Sequence, residues 1–325
     1  YILLFIITFD VIRRVTGHSF FMKYRYPAML HTMPKNLVIF GGFAIGLILM
    51  VSIYGVLHAR RVYVRQDPVV IEKSSSLPGL KIALIADLHL GYNSTKSHVR
   101  KIVDTINSQN VDLVCIAGDL FDNDYDAIKD PDKMADILSG IKSRYGTYAC
   151  WGNHDVSEKI LAGFTFPQKE TIVRDGRFTE FLHHAGITML EDETVCINNA
   201  FYLVGRRDKD MAKKEQLPRK TFAEITEPLD PSLPIIVMDH QPGELSEASD
   251  AGVDLDLSGH THDGQMFPAN LVVHFLWENA CGVLKKGSMT SIVTSGAGVW
   301  GPAMRVGTNN EVVIANVSFD PATDQ

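Results

Sequence analysis

The sequence predicts an α/β domain built on a layered sheet and preceded by N-terminal transmembrane helices. Three observations carry this. A run without any charge fills residues 37–57. From Leu80 onward, short apolar runs alternate with segments of helical period. Most of those runs end abruptly in carboxylates, amides or imidazoles.

Leu37 to Leu57 is 21 residues long. At the helical rise that length just spans a hydrocarbon core of about 30 Å. A buried core helix is rarely apolar on every face over such a distance, and a cleaved signal peptide has a shorter apolar run nearer the start. Tyr1 to Phe9 is a second apolar stretch and reads as the end of another membrane helix. Residues 1–57 are therefore expected to form a membrane region, 58–78 a linker and 79–325 one large domain. The linker reading rests on the basic stretch His58–Arg65, on Asp67-Pro68 and on Ser74-Ser75-Ser76. Arg13, Arg14, Lys23, Arg25 and Lys35 precede the span; Arg60, Arg61, Arg65 and Lys73 follow it. The positive-inside rule then narrowly favours an integral membrane protein with its large domain outside the cytoplasm.

In the domain the strand candidates come in order as KIALIAD, ending at Asp87; DLVCIAGD, at Asp119; TYACWGNHD, at Asp155; PIIVMDH, at His240; and DLDLSGHTH, at His262. Consecutive apolar positions suit strands buried on both faces. Between them, Val99, Ile102, Val103 and Ile106 recur at helical spacing, as do Met134, Ile137, Leu138 and Ile141. ITMLED and FYLVGRRD suggest a strand pair around Asn198-Asn199. Asp208 to Pro234 is charged, contains prolines and reads as a surface loop. Phe275, Leu276 and Trp277, followed by Trp300, read as core in preference to a wall for an acyl chain. His183-His184 reads as the solvated face of a helix. Cys115 and Cys150 read as buried thiols, and no CxxC pair occurs among the four cysteines, which argues against a disulfide framework. The net charge of −7 disfavours a nucleic-acid partner. It leaves phosphate substrates open, because bound cations reverse a local field.

Sheets of this kind bind ligands beyond the carboxyl ends of their strands, and that is where Asp87-x-His89, Gly118-Asp119, Gly152-Asn153-His154-Asp155, Asp239-His240 and Gly259-His260-Thr261-His262 fall. Each cluster alone reads as a turn. Together they place acidic and imidazole side chains at five strand ends, which an apolar core does not require. Asp, Asn and His donors without Cys suit Mn, Fe or Zn in a reactive site and not a structural zinc cage. Seven donors exceed one tetrahedral ion, whereas two divalent ions sharing a carboxylate would use them, an arrangement suited to phosphate-ester displacement.

The order DxH, GD, GNHD, H, GHTH resembles the calcineurin-like metallophosphoesterase superfamily over about Lys81 to Phe319. GITMLEDETVCI, IIVMDHQPGEL and DLDLSGHTHDGQMFP resemble its membrane-associated branch, which includes UDP-2,3-diacylglucosamine hydrolases. The resemblance implies a layered β-sandwich flanked by helices. It implies Asp87, His89 and His262 on one metal, Asn153, His240 and His260 on the other, and Asp119 bridging both. It implies that His154 faces the phosphate, with Asp155 orienting it. Asp263 departs from the branch, where Gly is common. The implied activity is hydrolysis of a phosphate ester or pyrophosphate, in a phosphorylated small molecule or a lipid-linked substrate such as an acylated sugar nucleotide. Soluble nucleotides or phosphoproteins are the alternative substrates. A tethered, non-catalytic binding protein would lack ligands, and here every ligand position is filled. Arg206, Arg207 and Arg305 are candidates for a second phosphate, with surface solvation as the plainer role.

Overall fold

The computed structural model describes residues 35–158, 160–161, 164–165 and 174–320. The stretch Tyr1–Phe9 lies outside them. The chain divides into two units, Tyr1–Val56 and Leu57–Gln325. Helix α1 (Lys35–His58) accounts for the described part of the first. Among the described residues it is the one helix long and apolar enough to cross a membrane.

In the second unit the chain runs through β1 (Tyr63–Ile71), β2 (Leu80–Ile85), α2 (Lys96–Ser108), β3 (Leu113–Ala117), α3 (Pro131–Leu138) and β4 (Thr147–Cys150). A two-stranded ribbon follows, β5 (Ile160–Leu161) and β6 (Phe164–Thr165), then α4 (Gly176–His184), β7 (Ile187–Met189), β8 (Glu193–Ile197) and β9 (Phe201–Gly205). The remainder is α5 (Lys209–Glu215), α6 (Phe222–Thr226), β10 (Ile235–Met238), α7 (Leu245–Asp250), β11 (Leu255–Ser258), α8 (Ala269–Leu276), β12 (Gly282–Lys286), β13 (Met289–Val293) and β14 (Glu311–Phe319).

Two six-stranded sheets result, ordered β1-β14-β2-β3-β4-β7 and β12-β13-β11-β10-β9-β8. Their pairing follows from side-chain period. Ile82 and Leu84 of β2, with Leu113 and Cys115 of β3, meet Leu203, Met238 and Leu257 of the second sheet in one buried cluster. The alternate residues Ala83, Ile85, Val114 and Ile116 face the other way, onto Val99, Ile102 and Ile106 of α2 and Met134 and Leu138 of α3. Each such aliphatic side chain contributes on the order of 2 kcal/mol relative to exposure. The outer face of the second sheet is covered by Phe222 and Ile225 of α6 and Leu245 and Ala248 of α7. The expected sandwich flanked by helices is therefore present. Cys115 and Cys150 are buried in its centre, as expected.

Three expectations need correction. The stretch 58–78 is not simply a linker, because β1 pairs in parallel with β14 from Tyr63↔Glu311 to Ile71↔Phe319. An edge strand tolerates Pro68, since one row of its N–H groups lacks a ladder partner. The hairpin around Asn198-Asn199 is β8 with β9. Its first strand is thus ETVCI and not ITMLED, because Ile187–Met189 joins β4 in the other sheet. The loop expected from Asp208 to Pro234 holds α5 and α6. Asp208 caps the first through the amides of Asp210 and Met211, and Thr221 with Glu224 forms a capping box on the second.

Candidate metal centre

Parallel strands deliver their carboxyl ends to one edge of the sandwich. β2 leads to Asp87 and His89, β3 to Asp119, β4 to Asn153, His154 and Asp155, β10 to His240, and β11 to His260 and His262. Strong backbone turns hold these residues at the edge. Asp87, His89, Asp119, His260 and His262 all have positive φ, at 56°, 44°, 50°, 71° and 51°. For non-glycine residues this costs about 1 kcal/mol or more each, and such strain concentrates at functional sites. Neighbouring glycines allow close approach. A Cβ on Gly152 would sit 2.3 Å from both the amide N and Oδ1 of Asp119, and one on Gly259 2.7 Å from Asp87 Oδ2.

The seven expected ligands come together as two groups. Donor atoms of Asp87, His89 and His262 lie within 4.8 Å of one another, and so do those of Asp119, His240 and His260. Asn153 belongs with the second group, its Oδ1 lying 2.8 Å from His260 Nδ1 and 3.1 Å from His240 Nε2. Asp119 Oδ2 stands between the groups, 3.1 Å from His240 Nε2 and 3.7 Å from His89 Nε2. His89 Nε2 and His262 Nε2 face each other at 3.0 Å.

The donor chemistry fits cations. The Nδ1–H of His240 donates to the carbonyl of Ala117 at 2.8 Å. In the neutral ring the Nε2 lone pair then faces Asp119 Oδ2, Asn153 Oδ1 and His260 Nδ1, all within 3.2 Å. Acceptors gathered this way repel unless a proton or a metal lies among them. Burial would lower the His240 pKa, but the carboxylates of Asp119 and Asp87 hold it well above the usual value. A divalent ion supplies the same compensation and releases that proton. Burial, with His240 beside it, pulls His260 down to about 3, and burial also holds His262 well below its usual range. Both are therefore neutral donors at ordinary pH. Asp119 stays ionised against its burial, because His240 and His154 lie beside it.

His154 is outside the two donor groups but close to the first, a ring nitrogen lying within 4.8 Å of donor atoms of His89 and Asp122. Its backbone N–H donates to Asp119 Oδ1 at 2.8 Å, and its Nδ1–H donates to Asn123 Oδ1 at 2.5 Å. Asn123 is oriented in turn by donating to Glu158 Oε2 at 3.1 Å, and Glu158 pairs with Lys214 at 2.8 Å. That leaves His154 Nε2 for the cavity, where burial lowers the ring to about 4 and keeps it neutral. Asp155 does not orient this imidazole. Its oxygens accept from the amides of Phe121 at 2.8 Å and Gly152 at 2.7 Å, bracing the turn that carries Asn153. Asn123 and Asp122 were missed by sequence reasoning. Asp122 Oδ1 lies 3.5 Å from His89 Nδ1, the side of the ring away from the donor cluster. The signal was Leu120-Phe121-Asp122-Asn123 directly after Gly118-Asp119.

A cavity of about 280 Å³ opens on Asp119, His154, His260, His262, Gln265 and Trp300. A larger one, of about 400 Å³, lies at β8 near Asp192 and Lys220, away from these groups. The arginines are not placed for a second phosphate, and two of them are not surface residues either. Arg305 is fully buried and donates to the carbonyls of His262, Ser295 and Gly298 at 2.7–2.9 Å. Arg206 is buried against Asp239 and Glu244, at 3.1 and 3.0 Å. Arg207 pairs with Glu191 at 3.0 Å. The expected core at Phe275 and Leu276 is solvent-exposed. Trp277 stacks edge-on to His260, ring centroids 5.3 Å apart.

A strand-end site of Asp, Asn and His donors in a two-sheet sandwich suits divalent cations, and comparison with known proteins gives the family. The sequence profile of calcineurin-like phosphoesterases matches residues 80–264, and the chain belongs to that family. An uncharacterized metallophosphoesterase of Helicobacter pylori is 32% identical over 251 residues, covering 77% of this chain and 62% of the relative. A transmembrane protein with metallophosphoesterase domain of Danio rerio is 28% identical, covering 81% of this chain and 59% of the relative. A UDP-2,3-diacylglucosamine pyrophosphatase of Chlamydia muridarum is 25% identical, covering 60% of this chain and 67% of the relative. The chain thus spans about three fifths of the length of the first two relatives.

Proposed function

We propose that this protein is a membrane-anchored hydrolase that uses two divalent metal ions to cleave a phosphate ester or pyrophosphate in an amphiphilic substrate. The observation that carries the reading is Asp119, whose one carboxylate oxygen lies within 3.7 Å of an imidazole from each donor group. Asp87, His89 and His262 would hold one ion, Asn153, His240 and His260 the other, and Asp119 both. Bound there, the ions would lower the pKa of a water and neutralise charge on the phosphoryl oxygens. The chain's own residues supply the rest. His154, fixed by Asn123, offers Nε2 to the phosphoryl or leaving oxygen. Neutral by burial, the ring gains basicity when an anionic group arrives beside it, so it would take up a proton from solvent on substrate binding and give that proton to the leaving oxygen. Trp300 and Gln265 line the cavity.

The amphiphilic substrate is supported by α1 and by the acylated sugar-nucleotide substrate in the name of the Chlamydia relative. The test is hydrolysis by the full chain in detergent, with Mn, Zn or Fe supplied in turn. A generic phosphodiester, a phosphomonoester and an acylated UDP-sugar would be compared, with Asp119→Asn as control. Selective cleavage of the acylated sugar nucleotide is expected. Equal turnover of every ester would defeat the amphiphile, and no turnover with two metals bound would defeat catalysis.

A further inference from the structure

The loop that carries His260 and His262 runs directly into α8, and α8 is built inside out. Leu271, Val272, Phe275 and Leu276 fall at i, i+1, i+4 and i+5, one stripe of a helix, and all four are exposed, Phe275 at 89% and Leu276 at 73%. Phe267, just ahead of the helix, is half exposed. The opposite face is the anchored one. Val273 is buried, His274 pairs with Asp263 at 2.9 Å, and Trp277 stacks on His260. No Lys, Arg, Asp or Glu occurs between Asp263 and Glu278. A contiguous uncharged patch of this kind marks an interaction surface.

The covalent path from α1 points to the occupant. His58 and Ala59, where the chain leaves α1, are held by the segment Thr308–Asn310: His58 Nε2 lies 3.2 Å from the Thr308 carbonyl, and Asn310 Nδ2 donates to the Ala59 carbonyl at 2.6 Å. The overlapping stretch from Val306 to Thr308 supports the base of α8. Thr308 Oγ1 donates to the Gln265 carbonyl at 2.8 Å, and the Phe267 amide donates to the Val306 carbonyl at 2.8 Å. The junction with the anchor and the exposed apolar stripe therefore sit on one pole of the domain, and Gln265 belongs to both that pole and the cavity.

We propose that α8 is a second, interfacial membrane contact: its Leu271–Leu276 stripe enters the membrane surface and seats the mouth of the metal-centre cavity at headgroup level. This rests on the reading of α1 as an anchor. Burial of such a stripe gives an interfacial helix its affinity. Two contacts fix the tilt of the domain, where one anchor leaves it free to swing. An ester buried at the membrane surface could then reach the cavity without leaving the bilayer.

The test uses the full chain in nanodiscs of phosphatidylcholine and phosphatidylglycerol, in a Cys196→Ser, Cys281→Ser background. A bimane label on Phe275→Cys is compared with one on Lys142→Cys, at the amino end of β4, using lipids that carry a doxyl quencher near the headgroup. Stronger quenching at Phe275, on the order of twofold or more over Lys142, is the expected result. Equal quenching at both sites overturns the proposal. So does a Phe275 label protected from lipid and water alike, with cross-linking to a second copy. Alkaline carbonate extraction reports on α1 separately, so loss of the anchor is not confused with loss of α8 contact. As a second readout, Leu271→Glu with Phe275→Glu should lower turnover of a bilayer-embedded ester about tenfold and leave a soluble phosphodiester unchanged. Quenching without any lipid-ester turnover would keep the α8 contact and overturn the proposed substrate instead.

Discussion

The two sheets contribute unequally to the metal centre. Of the seven candidate ligands, the first carries both carboxylates, Asp87 and Asp119, together with His89 and Asn153; the second carries only imidazoles, His240, His260 and His262. As the proposed ligands, the first half would set the charge that attracts cations, and the second would complete their coordination with neutral donors. The supports differ in the same way. On the first side His154 hangs from an Asn123–Glu158–Lys214 chain, while on the second the fully buried Arg305 binds the carbonyl of His262. Charge in one half and shape in the other predict unequal consequences of damage.

The largest expected effect lies in the charged half. Asp119→Asn removes the one carboxylate near both donor groups and should lower kcat/KM on the order of 10³-fold, comparable with losing a principal electrostatic contact. Elemental analysis should show depleted metal. Wild-type turnover in the folded, metal-loaded variant would sink the bridging role. Next comes the neutral half. His260→Ala should cost on the order of 10²-fold, with metal content falling toward one ion per chain as the Asp87, His89, His262 group persists. Complete loss of both ions would erase the distinction between the halves.

A smaller effect separates His154 from its neighbours. Asn123→Ala frees the Nδ1 side of the imidazole and should lower kcat about tenfold, a part of what acid–base catalysis supplies, with metal content unchanged. Asp155→Asn should act otherwise. An amide NH2 would meet the N–H of Phe121 or Gly152, costing about 1–3 kcal/mol of stability and read as a lower melting temperature. If Asp155→Asn instead lost rate without stability, Asp155 would act on His154 after all.

What the sequence revealed follows the same division. The strand ends were legible because parallel strands buried on both faces leave chemistry only at their tips, so Asp87, Asp119 and His240 announced themselves. Asn123 was not, because an Asn directly after a carboxylate, Asp122, reads as a turn until the fold brings Nδ1 of His154 against it. Arg305 looked like a surface cation, since nothing local signals that the carbonyls of Ser295 and Gly298 and the distant one of His262 will enclose a guanidinium. Phe275 and Leu276 looked like core because apolar content predicts burial and carries no information about what does the burying. β1 hid behind Asp67-Pro68, whose proline breaks an interior strand but not an edge.

Asp263 gives the smallest prediction and the sharpest limit on the second half. It follows His262 directly, at φ 50°, where the membrane-associated branch often has Gly. Asp263→Gly removes the left-handed strain of about 1 kcal/mol and also the half-exposed pair with His274, worth up to about 1 kcal/mol. The two nearly cancel, so melting temperature should barely move and kcat/KM on a soluble phosphodiester should stay within about twofold. A fall well beyond that would mean the carboxylate helps position the His260–His262 loop. The second half would then depend on charge as the first does, and the contrast between them would narrow to the bridging Asp119 alone.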